Sequence, residues 1–176
     1  MNSTSIEDGP KFPFRGVMLD SSRHYLSMKV IIDQLNLMEM NKINVFHWHL
    51  TDDTSFPFQS TKFPNLTLYG AYDPETHVYT PEDVKRVIDE ARIRGIRVIP
   101  EFDTPGHTKS WELGQPGLLT PCEDENGTKT GIYGPIDPTL RSTFEFLSEF
   151  FEEVVRTFPD KFLHIGGDEV ELTSCW

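Results

Sequence analysis

Residues 80–103 read TPEDVKRVIDEARIRGIRVIPEFD, and the order of signals in them decides the fold class. Thr80 is a helix N-cap residue. Pro81 stands at the first helical position, and two acids follow in the first turn, where the helix dipole favours negative charge. Val84, Val87, Ile88 and Ala91 then repeat at helical spacing, and Gly95 ends the helix. IRVIPEFD (96–103) comes next as a short apolar run, the mark of a strand buried on both faces. Pro100 has no N–H to give to a ladder, so regular pairing is expected to stop near it.

The same unit recurs on either side. RGVMLD (15–20), INVFHWHL (43–50) and FLHIGG (162–167) read as three more strands. Met28, Ile31, Ile32, Leu35 and Met38 give a helical stripe within 27–42. Ser142 with Glu145 predicts a capping box, followed by a stripe of Leu147, Phe151, Val154 and Phe158. Strands alternating with helices, and apolar on both faces, imply a parallel α/β sheet covered by helices. The connections at 51–79 and 104–141 are much longer than ordinary βα loops, and such loops are usually functional. Every strand also ends in acid: Asp20, Asp52-Asp53, Asp103 and Asp168-Glu169. In a (βα)8 barrel all those ends open onto one face, which is where active sites lie. The expected fold is a TIM barrel of which about the first four βα units are present. A 1–13 extension precedes the half-barrel at 14–176. A doubly wound open sheet is the rival, but neither GxGxxG nor a P-loop occurs.

Composition narrows the partners. Thirteen Phe and 37% hydrophobic residues describe a globular chain, and the net charge of −12 argues against nucleic acid and anionic membrane. No window approaches a membrane span. No signal peptide is visible, yet sequons occur at Asn2, Asn65 and Asn126, against about one expected by chance. Cys122 and Cys175 permit one disulfide. A missing signal beside these hints suggests a processed chain or a fragment.

The acids carry the candidate chemistry. In LHIGGDEV (163–170) two carboxylates that repel each other stand side by side. On a regular strand they would point to opposite faces, but after Gly166 and Gly167 the backbone can bend so that both reach the barrel mouth. His47 and His49 share a strand face and form a His-x-His that could ligate a metal in a hydrolase; the alternative, preferred here, is a pair of hydrogen-bonded core histidines. Asp52 at the strand end is the better site candidate. Asp103 and His107 fall in a tight turn where a histidine could pair with a neighbouring carboxylate. Arg23 lies just beyond the first strand, where a guanidinium suits binding of hydroxyls or carboxylates.

Taken together, RGVMLDSSRHYL, NVFHWHLTDDTSFPFQS, RGIRVIPEFDTPGHT, GLLTPC and LHIGGDEV resemble the β-N-acetylhexosaminidases of glycoside hydrolase family 20, especially the animal lysosomal type. The resemblance runs from about Lys11 to Trp176. It implies retaining, substrate-assisted hydrolysis of terminal N-acetylglucosamine or N-acetylgalactosamine, without cofactor or metal. Glu169 matches the general acid, Asp168 the residue that orients the 2-acetamido group, and Arg23 the arginine on the sugar hydroxyls. Asp52 and His107 match a supporting pair. The implied partners are N-acetylated amino-sugar glycans or glycolipids, the location is lysosomal or secreted, and the full-length protein is a possible dimer. The small domain before the barrel and the barrel's second half are not in this sequence, so the chain alone is expected to be inactive. An inactive, sugar-binding derivative of the fold is the other reading. Cys122 and Cys175 are expected to be joined, because the loops that carry them follow neighbouring strands on one face.

Overall fold

The computed structural model describes residues 3–170 and Cys175. Strands β1 (Gly16–Asp20), β2 (Val45–Thr51) and β3 (Arg97–Phe102) lie side by side in that order, all parallel. Helix α1 (Met28–Met40) joins the first two, and α2 (Pro64–Gly70) and α3 (Pro81–Ile93) lie between the second and third. Parallel neighbours need such crossovers, so this is an α/β arrangement. Ile31, Leu35 and Met38 bury the inner stripe of α1. At α3 the capping box forms in both directions: Thr80 Oγ1 accepts from Asp83 N–H and Asp83 Oδ2 accepts from Thr80 N–H, each at 3.1 Å. Val84, Val87 and Ala91 are buried, and Gly95 turns the chain at φ +70°.

Three expectations change. First, Pro100 does not interrupt the sheet: the β2–β3 register runs through Trp48↔Pro100 to Thr51↔Phe102. The side of Pro100 that lacks an N–H faces the 162–165 segment, where its carbonyl accepts from His164 N–H at 3.0 Å, so the ladder to β2 loses nothing. Second, residues 162–167 form no strand. They meet β3 through one parallel bridge, Glu101↔His164. Phe102 N–H to His164 O (3.2 Å) and Thr104 N–H to Ile165 O (2.9 Å) complete the attachment. Gly166 and Gly167, at φ +67° and +116°, leave the extended region and end the run.

Third, helix α4 (Arg141–Thr157) begins before Ser142, so the predicted capping box is absent; Leu140 is the N-cap and Arg141 pairs with Glu145 instead. Its buried stripe is Phe146, Phe150 and Val154, whereas Leu147 and Phe151 are only partly covered. The helix is rotated because it seats on aromatic rings supplied by the end of β3 and by the long connections. Phe150 lies 5.1 Å, centroid to centroid, from both Phe102 and Trp111. Each such ring is worth about 1.5–3 kcal/mol of burial. Glu153 on the same helix is buried too, accepting from Ser60 Oγ, Thr61 N–H and Thr61 Oγ1.

The two long connections are structured. Residues 51–79 contain α2. Residues 104–141 contain a 3-10 turn (Lys109–Trp111) and an antiparallel hairpin of β4 (Leu119–Glu123) and β5 (Lys129–Ile136). A disulfide ties Cys122 of β4 to Cys175, with Cα atoms 4.2 Å apart, as expected.

Candidate active site

Register creates a polar row across the sheet. Asp20 is level with His49, His49 with Glu101, and Glu101 with His164, so these side chains share one face. The alternating positions Phe46, Trp48 and Val98 enter the core.

Glu101 is the centre of the row. Its Oε2 meets His47 Nε2 at 2.5 Å and His49 Nδ1 at 3.1 Å, and its Oε1 meets His164 Nδ1 at 3.1 Å. Burial works against its charge, but the bonds from His47 and His49 prevail and hold the carboxyl well below the usual range. The second nitrogen of His49, Nε2, lies 3.0 Å from Asp52 Oδ2. Burial opposes the imidazolium here as well. The bonds to Asp52 and Glu101 outweigh it, and the pKa is pushed up to about 10. His47 and His49 are thus hydrogen-bonded, through an acid that the sequence reading did not single out.

Asp52 passes the arrangement onward. Its Oδ2 also takes Arg23 Nη2 at 2.9 Å. Its Oδ1 accepts Asp53 N–H at 2.7 Å and faces His107 Nδ1 at 3.5 Å. Burial would raise its pKa, yet the bonds from His49 and Asp53 N–H leave it lowered. Arg23 bridges this carboxylate to Asp20, 2.7 Å away, and keeps 44% of its side chain exposed. His107, held at φ +57° after the turn, directs Nε2 between three acids: Glu169 Oε2 at 3.5 Å, Asp103 Oδ2 at 3.9 Å and Asp168 Oδ2 at 4.0 Å. That nitrogen is buried and has no hydrogen-bond partner among the described residues. A buried polar atom left open in this way marks a place where a ligand or a proton is handled.

Asp168 and Glu169 reach the same imidazole although they are adjacent. Gly166, Gly167 and Glu169 all have positive φ, and this bend turns both acids to one side. They remain 67% and 79% exposed. Asp103 holds the bend, its Oδ1 accepting Gly167 N–H at 3.0 Å; burial, and after it the nearby Asp168, raises its pKa. A cavity of about 410 Å³ opens beside Glu169 and His107, lined also by Asp53, Lys109 and Tyr133. Lys109 Nζ pairs with Asp53 at 2.8 Å.

The structure therefore brings together Arg23, Asp52, His107, Asp168 and Glu169. Glu101 and His164 are the members that sequence reasoning missed. Glu101 did leave a signal, being an acid inside an apolar strand on the same alternation phase as Asp103. Ligand atoms of His47, Glu101 and His164 lie within 4.8 Å of one another, as do those of Asp52, Asp53 and His107, and of Asp103, His107 and Asp168. The Glu101 and Asp52 oxygens in these trios are already engaged by His47, His49 and Arg23, and no trio contains both His47 and His49. Of the sequons, Asn126 and Thr128 are exposed in the hairpin turn, and Asn65 is exposed on α2 while Thr67 is buried with its hydroxyl on Phe58 O. Asn2 lies outside the described residues. No helix among the described residues is long and apolar enough to cross a membrane.

An α/β scaffold that gathers carboxylates, a histidine and an arginine beyond the C-terminal ends of parallel strands defines a protein with a strand-end carboxylate site. The chain belongs to glycosyl hydrolase family 20: the model of that family's catalytic domain matches residues 12–176. It is 58% identical to the Bos taurus protein named beta-hexosaminidase subunit alpha, over all of this chain and 33% of the relative. The Homo sapiens beta-hexosaminidase subunit beta is 54% identical, with all of this chain and 31% of the relative covered. The chain thus spans about a third of the length of the curated relatives it matches. Among solved structures, the Bacteroides fragilis β-N-acetylhexosaminidase superposes with a TM-score of 0.81 at 34% identity, over 93% of this chain and 33% of the other. The Vibrio harveyi exo β-N-acetylglucosaminidase in complex with N-acetylglucosamine gives 0.78 at 35% identity, over 93% and 28%.

Proposed function

We propose that the whole protein is a β-N-acetylhexosaminidase that removes terminal N-acetylglucosamine or N-acetylgalactosamine from glycans or glycolipids. Residues 14–176 then supply about the first four βα units of a (βα)8 catalytic barrel, with the 162–167 segment in the place of the fourth strand, preceded by a short extension at 1–13. The observation that carries the reading is the line Asp52–His107–Glu169, in which the open Nε2 of His107 faces an exposed carboxyl. Glu169 donates its proton to the glycosidic oxygen as the bond to the anomeric carbon breaks. The acetamido oxygen of the substrate attacks that carbon, and an oxazolinium forms. Asp168 orients the acetamido group and meets the positive charge that develops on it. Glu169 next takes a proton from water, which opens the oxazolinium with retained β-configuration. Arg23 holds sugar hydroxyls, and Asp52 with His107 supports Glu169.

Since no protein carboxylate is the nucleophile, the two acids need not flank the bond at the usual carboxylate spacing. Adjacent acids turned to one side suffice, because they serve two atoms of one sugar. The Cys122–Cys175 disulfide and the exposed sequon at Asn126 support an oxidising, secretory-route location, secreted or lysosomal. A dimer of the full-length protein belongs to the same proposal.

The test compares N-acetylglucosaminides of graded leaving groups on the wild-type whole protein and on Glu169→Gln. Poor leaving groups should lose about 10²–10⁴-fold in rate, and very good ones far less. An equal loss across the series removes Glu169 from the general-acid role.

A further inference from the structure

Glu101 stands one residue before the end of β3, and its buried carboxylate faces three histidines. It is 5% exposed and collects His47, His49 and His164, from β2 and from the 162–165 segment. Only one of these imidazoles leads onward. Both nitrogens of His49 face carboxylate oxygens, Nδ1 toward Glu101 and Nε2 toward Asp52. A neutral ring has one N–H and could satisfy only one of them. The other oxygen would then oppose a nitrogen lone pair in a buried setting, an expensive arrangement. Two protons on the ring remove the conflict.

Resting on the hexosaminidase reading above, we infer that Glu101 is a positioning residue for the general acid: it holds His49 as an imidazolium, and the imidazolium locks Asp52. Asp52 Oδ2 is occupied by His49 and Arg23. Only Oδ1 remains to face His107, and the Nε2 of His107 then points at Glu169. The line Glu101–His49–Asp52–His107–Glu169 thus runs from the sheet interior to the acid. The other charged or titratable groups around it are Asp20 of β1, Arg23 beyond it, Asp53 beside Asp52 with its partner Lys109, Asp103 after β3, and Asp168 beside Glu169. Asp20 adds to the negative field on His49, and the elevated pKa of the His49 ring, about 10, agrees with a ring that stays charged at neutral pH.

The three histidines provide an internal control. His47→Gln, His49→Gln and His164→Gln each take one partner from Glu101, but only the His49 variant breaks the line to Asp52. Glu101→Gln keeps the shape and removes the charge. In the whole protein, Glu101→Gln and His49→Gln should lower kcat strongly for poor leaving groups and little for very good ones, with KM near wild type. His47→Gln and His164→Gln should show a smaller loss without that leaving-group dependence. Nitrogen-15 NMR of the ring should find His49 doubly protonated at pH 8 in the wild type, and Glu101→Gln should lower its titration midpoint by about 1–3 pH units.

The NMR arm on the wild type needs no variant to fold. A neutral His49 ring at pH 8 overturns the inference, and so does a loss equal across leaving groups in both line-breaking variants. An active wild type whose Glu101→Gln form keeps full kcat on poor leaving groups removes Glu101 from the line and leaves the hexosaminidase reading standing. A wild type without turnover on any N-acetylglucosaminide removes that reading and this inference with it.

Discussion

Gly166→Ala tests how the site is held. At Gly166 the backbone has φ +67°, and an added Cβ would lie 1.6 Å from Asp103 Oδ1 and 2.9 Å from Asp103 Cα. The left-handed conformation alone costs an alanine about 1–2 kcal/mol. The collision adds to this. If the Asp103 carboxylate turns away, it loses the bond from Gly167 N–H, a charge-assisted contact worth about 1.5–3 kcal/mol. If the 164–167 segment withdraws instead, it breaks its backbone attachment to β3. The expected total is about 2.5–5 kcal/mol. Gly95→Ala provides the reference, because Gly95 has φ +70° with nothing within 4 Å of its missing Cβ. It should show the conformational part alone. Urea unfolding of the two variants gives the difference directly. Activity should fall with Gly166→Ala, since the bend that turns Asp168 and Glu169 to one side is lost, and stay near wild type with Gly95→Ala. A Gly166→Ala variant no less stable than Gly95→Ala would refute the reasoning.

Asp168→Asn should reduce kcat more than it raises KM, because the charge it meets grows toward the transition state; an NMR time course should still show β-product first, and an inverted first product would end the substrate-assisted proposal. Cys122→Ser should cost about 2–5 kcal/mol and expose the β4–β5 hairpin to protease, readable as a lower urea midpoint and a new cleavage near residues 124–128. The pKa of Glu153 is lowered, by bonds from Ser60 and Thr61 that overcome the opposing effect of burial. Its contribution is therefore present above the unfolded carboxyl range and is lost as pH falls through the folded value. Glu153→Gln should be clearly less stable than wild type at pH 7 and nearly equal to it at acid pH, and a deficit independent of pH would show that the charge is not the cause. The 176-residue chain alone should show no turnover of a fluorogenic N-acetylglucosaminide, since β1 exposes Met18 and the outer segment exposes Ile165, leaving unpaired sheet edges.

The scaffold was legible where local signals are strong. Thr80, Pro81 and Asp83 announce α3 without help from the rest of the chain, and they cap it as expected. The α4 start was misread because Ser142 and Glu145 match a local pattern, while the real start is decided by Phe146 and Phe150 meeting rings contributed from residues 56–63 and 102–111. No local pattern contains that information. Pro100 was misread for a related reason: whether a missing N–H matters depends on which neighbour that side of the strand faces. In the site, the strand-end acids could be read because each follows an apolar run. Glu101 was hidden inside such a run, and its meaning came only with the register that sets it level with His49 and His164.

The bridge between Glu101 and His164 also bears on the order in which the chain acquires its parts. The parallel strands and the helices that cover them are drawn from residues 16–157, whereas Asp168 and Glu169 hang from a segment attached by a few backbone bonds. During synthesis at about 5–20 residues per second, the end of the scaffold leaves the ribosome about 0.5–2 seconds before the acids do. The nascent chain can thus begin to condense around α3, α4 and their aromatic contacts before the 162–170 segment has emerged. The acids arrive after that scaffold, onto a surface where Asp103 and His107 are already placed to receive them.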